Sequence, residues 1–197
     1  LDLRKAILLG STRPVLMNEL SAETAAFFMK APDNNVLEFA LARRVLLVEG
    51  DAEFILIEAF YRRLYGRAPE DDGVHIIAIG GTSFRRYLEL ARLLENRVAA
   101  LRDNDGNYQQ NCDERYADVL CSPGHLLIGD NPRSTFEICL YQDNAALCDA
   151  LFRGTRRTLT VQEYMLANKA EAAFRLLQLH AEELTVPDYI QEALAWI

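Results

Sequence analysis

Between residues 45 and 101, short apolar blocks alternate with amphipathic stretches, and this pattern constrains the chain more than any other feature. Val45-Leu46-Leu47-Val48 is apolar throughout, as in a strand buried on both faces of a parallel sheet. Glu49-Gly50-Asp51 turns the chain. Residues 52–65 then place Phe54, Ile55, Ile57, Ala59, Phe60 and Leu64 on a helical stripe, which Gly66 and Pro69 end. Residues 74–79 predict a second strand and Gly80-Gly81 a turn. Thr82 or Ser83 can cap a helix that runs to about Asn96. Residues 97–101 predict a third strand, followed by Arg102-Asp103-Asn104-Asp105-Gly106. Strands and helices in this order imply right-handed crossovers and an α/β fold with a parallel, Rossmann-like sheet.

The flanks are more helical. Residues 1–42 read as a helical connector, with a helix start at Ser21-Ala22-Glu23-Thr24 and a breaker at Ala31-Pro32-Asp33-Asn34-Asn35. A short helix over 36–44 leads into the first strand. Residues 107–119 are polar and irregular or partly helical, and Leu126-Leu127-Ile128 fits a fourth strand. Ser134 as cap with Glu137 three positions on has the form of a capping box. Residues 144–152 read as helix, 160–184 as one longer amphipathic helix, and 187–197 as a last one. The expected division is a connector over 1–42, a sheet domain over 43–152 and a C-terminal helical segment over 153–197.

Twenty-one basic residues against 29 acidic ones give a net charge of −8. That argues against a protein that coats DNA passively. It does not argue against a metal-dependent enzyme, whose clustered carboxylates are neutralised by cations. No apolar run is long enough to span a membrane, and no basic segment precedes an apolar one. The expectation is a cytoplasmic protein without a membrane partner, and the Leu start suggests a piece of something longer. Cys112, Cys121, Cys139 and Cys148 form no C-x-x-C pair, so reduced, packed thiols are expected rather than a zinc site. His75 reads as a core residue, and His125 and His180 have no partner in spacing. Arg133, Arg153, Arg156, Arg157 and the pair Arg85-Arg86 form either a basic rim for phosphates or a scattered solvated surface.

Ligands of an open parallel sheet bind beyond the carboxyl ends of its strands. Glu49 follows the first strand and Asp103 the third, so both face one crevice. Glu53 lies one helical turn beyond Glu49. Asp105 is two residues past Asp103, so an extended backbone would put both on one face. Carboxylates gathered this way repel one another unless a cation is present. With only oxygen donors close in sequence, Mg²⁺ or Mn²⁺ is favoured over zinc, and Ca²⁺ also fits. Four acids exceed what one Mg²⁺ needs, which points to two divalent ions and in-line phosphodiester chemistry. Each acid also has an ordinary reading: Glu49 as a helix-opening residue, Asp103-Asn104-Asp105-Gly106 as a turn, Glu137 as a capping residue.

Val48-Glu49-Gly50 with Glu53, then Gly80-Gly81, then Asp103-Asn104-Asp105 resembles the Toprim pattern of topoisomerases, bacterial primases and several nucleases. More closely, residues 41–53, Gly80-Gly81 with Phe84 and Tyr87, and Ser134-Thr135-Phe136-Glu137 resemble the overcoming lysogenization defect (OLD) nucleases. Lys169, in Asn168-Lys169-Ala170-Glu171, falls where that family places a helix lysine after its sheet. The resemblance implies a Toprim-type nuclease that cuts DNA. Glu49, Glu53, Asp103, Asp105 and Glu137 would hold two metals, with Glu49, Asp103 and Lys169 catalytic. It also implies an ABC-type ATPase domain N-terminal to this region in the full-length chain. This chain has no Gly-rich loop ending in Gly-Lys-Ser/Thr. A homo-oligomer is compatible with the sequence. Two other readings compete: a non-catalytic module that binds metal and nucleic acid, and a receiver-like signalling domain. A receiver needs an adjacent acidic pair after its first strand, whereas Glu49 is followed by Gly50.

Overall fold

The computed structural model describes residues 7–9, 13–30, 35–80, 83–118, 126–155 and 158–197. Strands β1 (Ile7–Leu9) and β2 (Pro14–Leu16) pair antiparallel, and helices α1 (Ala22–Lys30) and α2 (Asn35–Leu41) follow. The central sheet then forms from β3 (Arg44–Val48), β4 (Val74–Ala78), β5 (Arg97–Arg102) and β6 (Leu126–Asp130). Helices α3 (Asp51–Tyr65) and α4 (Phe84–Leu94) connect its first three strands. The C-terminal part comprises α5 (Phe136–Asp143), α6 (Ala145–Phe152), α7 (Val161–Ala167), α8 (Lys169–His180) and α9 (Asp188–Trp196). The sheet order is β4-β3-β5-β6, with every pairing parallel. The α/β parallel sheet read from the alternating blocks is the observed architecture.

β3 is the centre of the sheet, and its uninterrupted apolar run serves two faces. Leu46 and Val48 join Leu56, Ile57 and Phe60 of α3 and the helices α5–α9 in one core. Val45 and Leu47 join Phe28, Phe39, Tyr87 and Leu88 in a second core built on α1, α2 and α4. β4 is an edge strand, which corrects the expectation for His75. Its side chain is 38% exposed and lies 3.2 Å from Glu38 instead of in the core. Among the cysteines, Cys112, Cys139 and Cys148 are buried and unbridged. Cys121, His125, Thr82, Gly81, Arg156, Arg157 and the expected breaker at 31–34 lie outside the described residues. Among the described residues no helix is long and apolar enough to cross a membrane.

The structure departs from the sequence reading at three further elements. Residues 1–42 contain a short antiparallel ribbon besides their helices. Helix α5 is capped by Thr135, whose side chain accepts from the amide of Ile138; Ser134 is not the cap, and Glu137 is not in the box position. The long helix expected over 160–184 breaks at Asn168 (φ −133°, ψ 47°), whose side-chain amide turns back to the carbonyl of Tyr164 at 2.9 Å. α8 therefore starts afresh at Lys169.

Burial at Leu46 is complete, so Leu46→Ala is expected to cost about 2–5 kcal/mol in urea unfolding, because the cavity can close only partly. Leu41→Ala, at a side chain 85% exposed, is expected to stay within about 0.5 kcal/mol of wild type.

Candidate acidic metal centre

β3 and β5 are parallel neighbours, so their carboxyl ends deliver Glu49 and Asp103 to the same edge of the sheet. The backbone of Glu49 is fixed there by the amide of Gly80, which donates to its carbonyl at 3.1 Å. Gly50 then admits the first turn of α3. A methyl group at this position would stand 3.2 Å from Oε2 of Glu53, so glycine lets the Glu53 carboxylate come close to the turn. Glu53, Asp103 and Glu137 are all buried, at 5%, 7% and 3% exposure. Buried carboxylates normally have partners, yet Oε2 of Glu49 is buried without a hydrogen-bond partner.

The charges respond to this crowding. Burial, then the charges of Asp103, Glu137 and Glu49, push the Glu53 carboxyl up to about 8. Asp103 is pushed up to about 7, first by burial and then by Glu137 and Glu49; the amide of Asn131 and the Lys169 ammonium oppose the rise. Asn131 donates to Oδ1 of Asp103 at 3.2 Å. Lys169, at the start of α8, donates to Oε2 of Glu137 at 3.0 Å. Burial works against the ammonium, but the hydrogen bond and charge of Glu137 leave its pKa raised, so Lys169 stays cationic. Tyr189 of α9 is a buried phenol within reach of the charges of this cluster. Burial and the nearby Asp103 and Glu53 charges hold its pKa well above the ordinary value.

Asp105 is placed differently. β5 ends at Arg102, and Asp105 adopts a left-handed conformation (φ 50°) before Gly106 (φ 82°), so the stretch from Asp103 to Asp105 is a turn. The side chain of Asn104 shapes it, accepting from the amide of Gly106 at 2.8 Å and donating to the carbonyl of Asn131 at 2.8 Å. Asp105 is exposed while Asp103 is buried, so the one-face argument from an extended backbone does not hold. The structure thus brings Glu49, Glu53, Asp103, Glu137 and Lys169 into one electrostatic neighbourhood and leaves Asp105 at its edge. Among the described residues, no three His, Cys, Asp or Glu side chains are already gathered around one ion position. The donor chemistry nevertheless suits a hard divalent cation. The donors are all oxygens, one buried oxygen lacks a partner, and burial together with the neighbouring acids pushes the Glu53 and Asp103 carboxyls up.

Residues 41–105 match the family model of the overcoming lysogenization defect protein-like TOPRIM domain. Over these residues the chain is similar to an OLD-like TOPRIM domain. The match spans Glu49, Glu53, Asp103 and Asp105; Glu137 and Lys169 lie beyond it. Among solved structures, the C-terminal region of the Xanthomonas campestris pv. campestris OLD protein is 20% identical. That alignment covers 79% of this chain and 94% of that one, with a TM-score of 0.54. The C-terminal region of the Burkholderia pseudomallei OLD protein is 18% identical, covering 79% and 97%, with a TM-score of 0.52. At these identities the likeness is one of fold. No curated protein matches the chain.

The TOPRIM acids were visible in the sequence, but Asn131 was not singled out. It is fully buried and orients both Asp103 and the Asn104 turn. The only local signal was Asn131-Pro132, which reads as a turn after the fourth strand. Of the arginines that could form either a basic rim or a scattered surface, three are paired with acids. Arg133 pairs with Asp143 at 2.7 Å, while Arg85 and Arg86 pair with Asp118 and Glu23. Lys169 lies at a helix start rather than beyond a strand, so the receiver layout is not met.

A carboxyl whose pKa is higher folded than unfolded binds its proton more tightly in the folded state. Its stabilising effect is complete below the unfolded value, about 4, and is lost as pH rises through the folded values of about 7 and about 8. Without divalent metal, Asp103→Asn is therefore expected to gain on wild type between pH 5 and 8.5, reaching on the order of 2 kcal/mol in urea unfolding. A difference that stays flat across that range would show that the acids do not repel as described.

Proposed function

We propose that this chain hydrolyses phosphodiester bonds of DNA with divalent metal ions, Mg²⁺ or Mn²⁺, held by its acid cluster. The observation that carries the reading is the set of buried, mutually repelling carboxylates at the β3 and β5 ends, one with an unpartnered oxygen, inside an OLD-like TOPRIM domain. Glu49, Glu53 and Asp103 would be the inner ligands, with Glu137 and, from the rim, Asp105 completing two sites. Bound there, the ions would supply an activated water and neutralise charge on the leaving oxygen.

The chain's own residues have distinct tasks. Asn131 donates to Oδ1 of Asp103 and so restrains the orientation of that carboxylate. Glu137 fixes the ammonium of Lys169 beside the acids and keeps it protonated. With half of its side chain exposed, Lys169 can reach an incoming phosphate and offset the negative charge that builds up on it during attack. Gly50 leaves room for Glu53 to serve the same crevice as Glu49. In the full-length protein this region would follow an ABC-type ATPase domain, as the likeness to C-terminal regions of OLD proteins suggests.

The test is nicking of supercoiled plasmid by the purified chain in Mn²⁺. Wild type is expected to nick, and Asp103→Ala and Lys169→Ala to lose about 100-fold or more in rate. Equal cleavage by wild type and Asp103→Ala would rule out the site. Tight binding of Mn²⁺ and DNA without any nicking would instead assign the non-catalytic role.

A further inference from the structure

A cavity of about 570 Å³ lies away from the acid cluster, between α1, α4 and the segment 115–118. Four guanidiniums reach it, from Arg85, Arg86, Arg92 and Arg115. On α4, Arg85 and Arg92 are two helical turns apart and share one exposed face, beside the buried stripe of Phe84, Leu88 and Ala91. Three acids also line the cavity. Glu89 is committed to the backbone and hydroxyl of Ser21 and to the hydroxyl of Thr24. Asp118 forks onto Arg85 and Glu23 pairs with Arg86, but the two acid side chains are 59% and 83% exposed. Exposed pairs of this kind are weak and exchange readily. Arg92 and Arg115 are exposed and make no ion pair among the described residues. In a chain of net charge −8, this is a local concentration of positive charge.

The cavity is linked to the end of β5 through one residue, Tyr116. Tyr116 lines it and is itself buried. Its hydroxyl accepts from the guanidinium of Arg102 at 2.6 Å, and Arg102 immediately precedes Asp103. The charge of Glu49 also reaches the Tyr116 phenol. An extended polyanion in the cavity would therefore run toward the β5 end that carries Asp103.

We propose that this arginine cavity receives a backbone phosphate of the DNA substrate, away from the bond being cut. The proposal rests on the nuclease reading above. Guanidiniums suit the task because their planar forks match phosphate oxygens two at a time, as Arg85 already does with the Asp118 carboxylate. Asp118 and Glu23 occupy the guanidiniums until a phosphate replaces them.

The experiment measures binding of a fluorescein-labelled DNA duplex by anisotropy, in Ca²⁺ and over a series of KCl concentrations. Arg92→Ala/Arg115→Ala is expected to weaken binding about tenfold and to flatten the dependence of log Kd on log salt by nearly two, one phosphate contact for each arginine. Asp118→Asn/Glu23→Gln is expected to tighten binding several-fold. Arg62→Ala, on an exposed helix face, is expected to bind as wild type does. Wild-type affinity and slope in the arginine double variant would overturn the proposal. So would an equal loss in Arg62→Ala, which would mean diffuse charge, or competition by polyglutamate as strong as by unlabelled duplex, which would mean an acidic protein partner. If wild type nicks plasmid in Mn²⁺ while the arginine double variant binds and nicks equally well, the cavity proposal alone falls. If wild type neither binds nor nicks, the nuclease reading falls with it.

Discussion

Repulsion among buried carboxylates is the constraint around which this structure is arranged. Glu53 and Asp103 are both pushed far above the ordinary carboxylate range, and Glu49 keeps a buried oxygen without a partner. A fold selected for stability alone has no reason to keep such a group, since apolar residues of similar size would pack there at lower cost. The surroundings offset only part of the repulsion. The N-terminus of α3 faces Glu53, Asn131 donates to Asp103, and Lys169 answers Glu137.

Lys169 illustrates the same tension from the opposite charge. A cation in the first turn of a helix is disfavoured by the helix dipole. Here α8 nevertheless starts on a lysine, because Asn168 breaks the preceding helix and Glu137 lies 3.0 Å away. The lysine goes against local preference and is held in place by a partner 32 residues away in sequence. The parallel sheet makes the arrangement possible. It brings to one edge acids that are 54 residues apart in sequence (103 − 49).

The sheet and the acids at its edge were legible because both follow from periodicity and order. The run from Val45 to Val48 can only be a strand covered on both sides, and its two-face alternation accounts for both cores. Glu49 and Asp103 then share an edge by topology alone. Features decided by a single side chain turning onto the backbone were not legible. Thr135 rather than Ser134 caps α5, Asn168 interrupts what reads as one amphipathic helix, and the Asn104 side chain bends Asp105 away from Asp103. Such choices depend on hydrogen bonds to carbonyls brought close by tertiary packing, and sequence spacing does not record them.

Whether the acid cluster holds divalent cations is read from anomalous diffraction at the manganese edge, on crystals of the chain grown with Mn²⁺. Manganese is expected at the β3 and β5 strand ends, with Glu49, Glu53 and Asp103 turned inward as ligands and Lys169 still beside Glu137. Manganese bound only elsewhere on the chain, with the oxygen of Glu49 still unpartnered, would contradict that expectation.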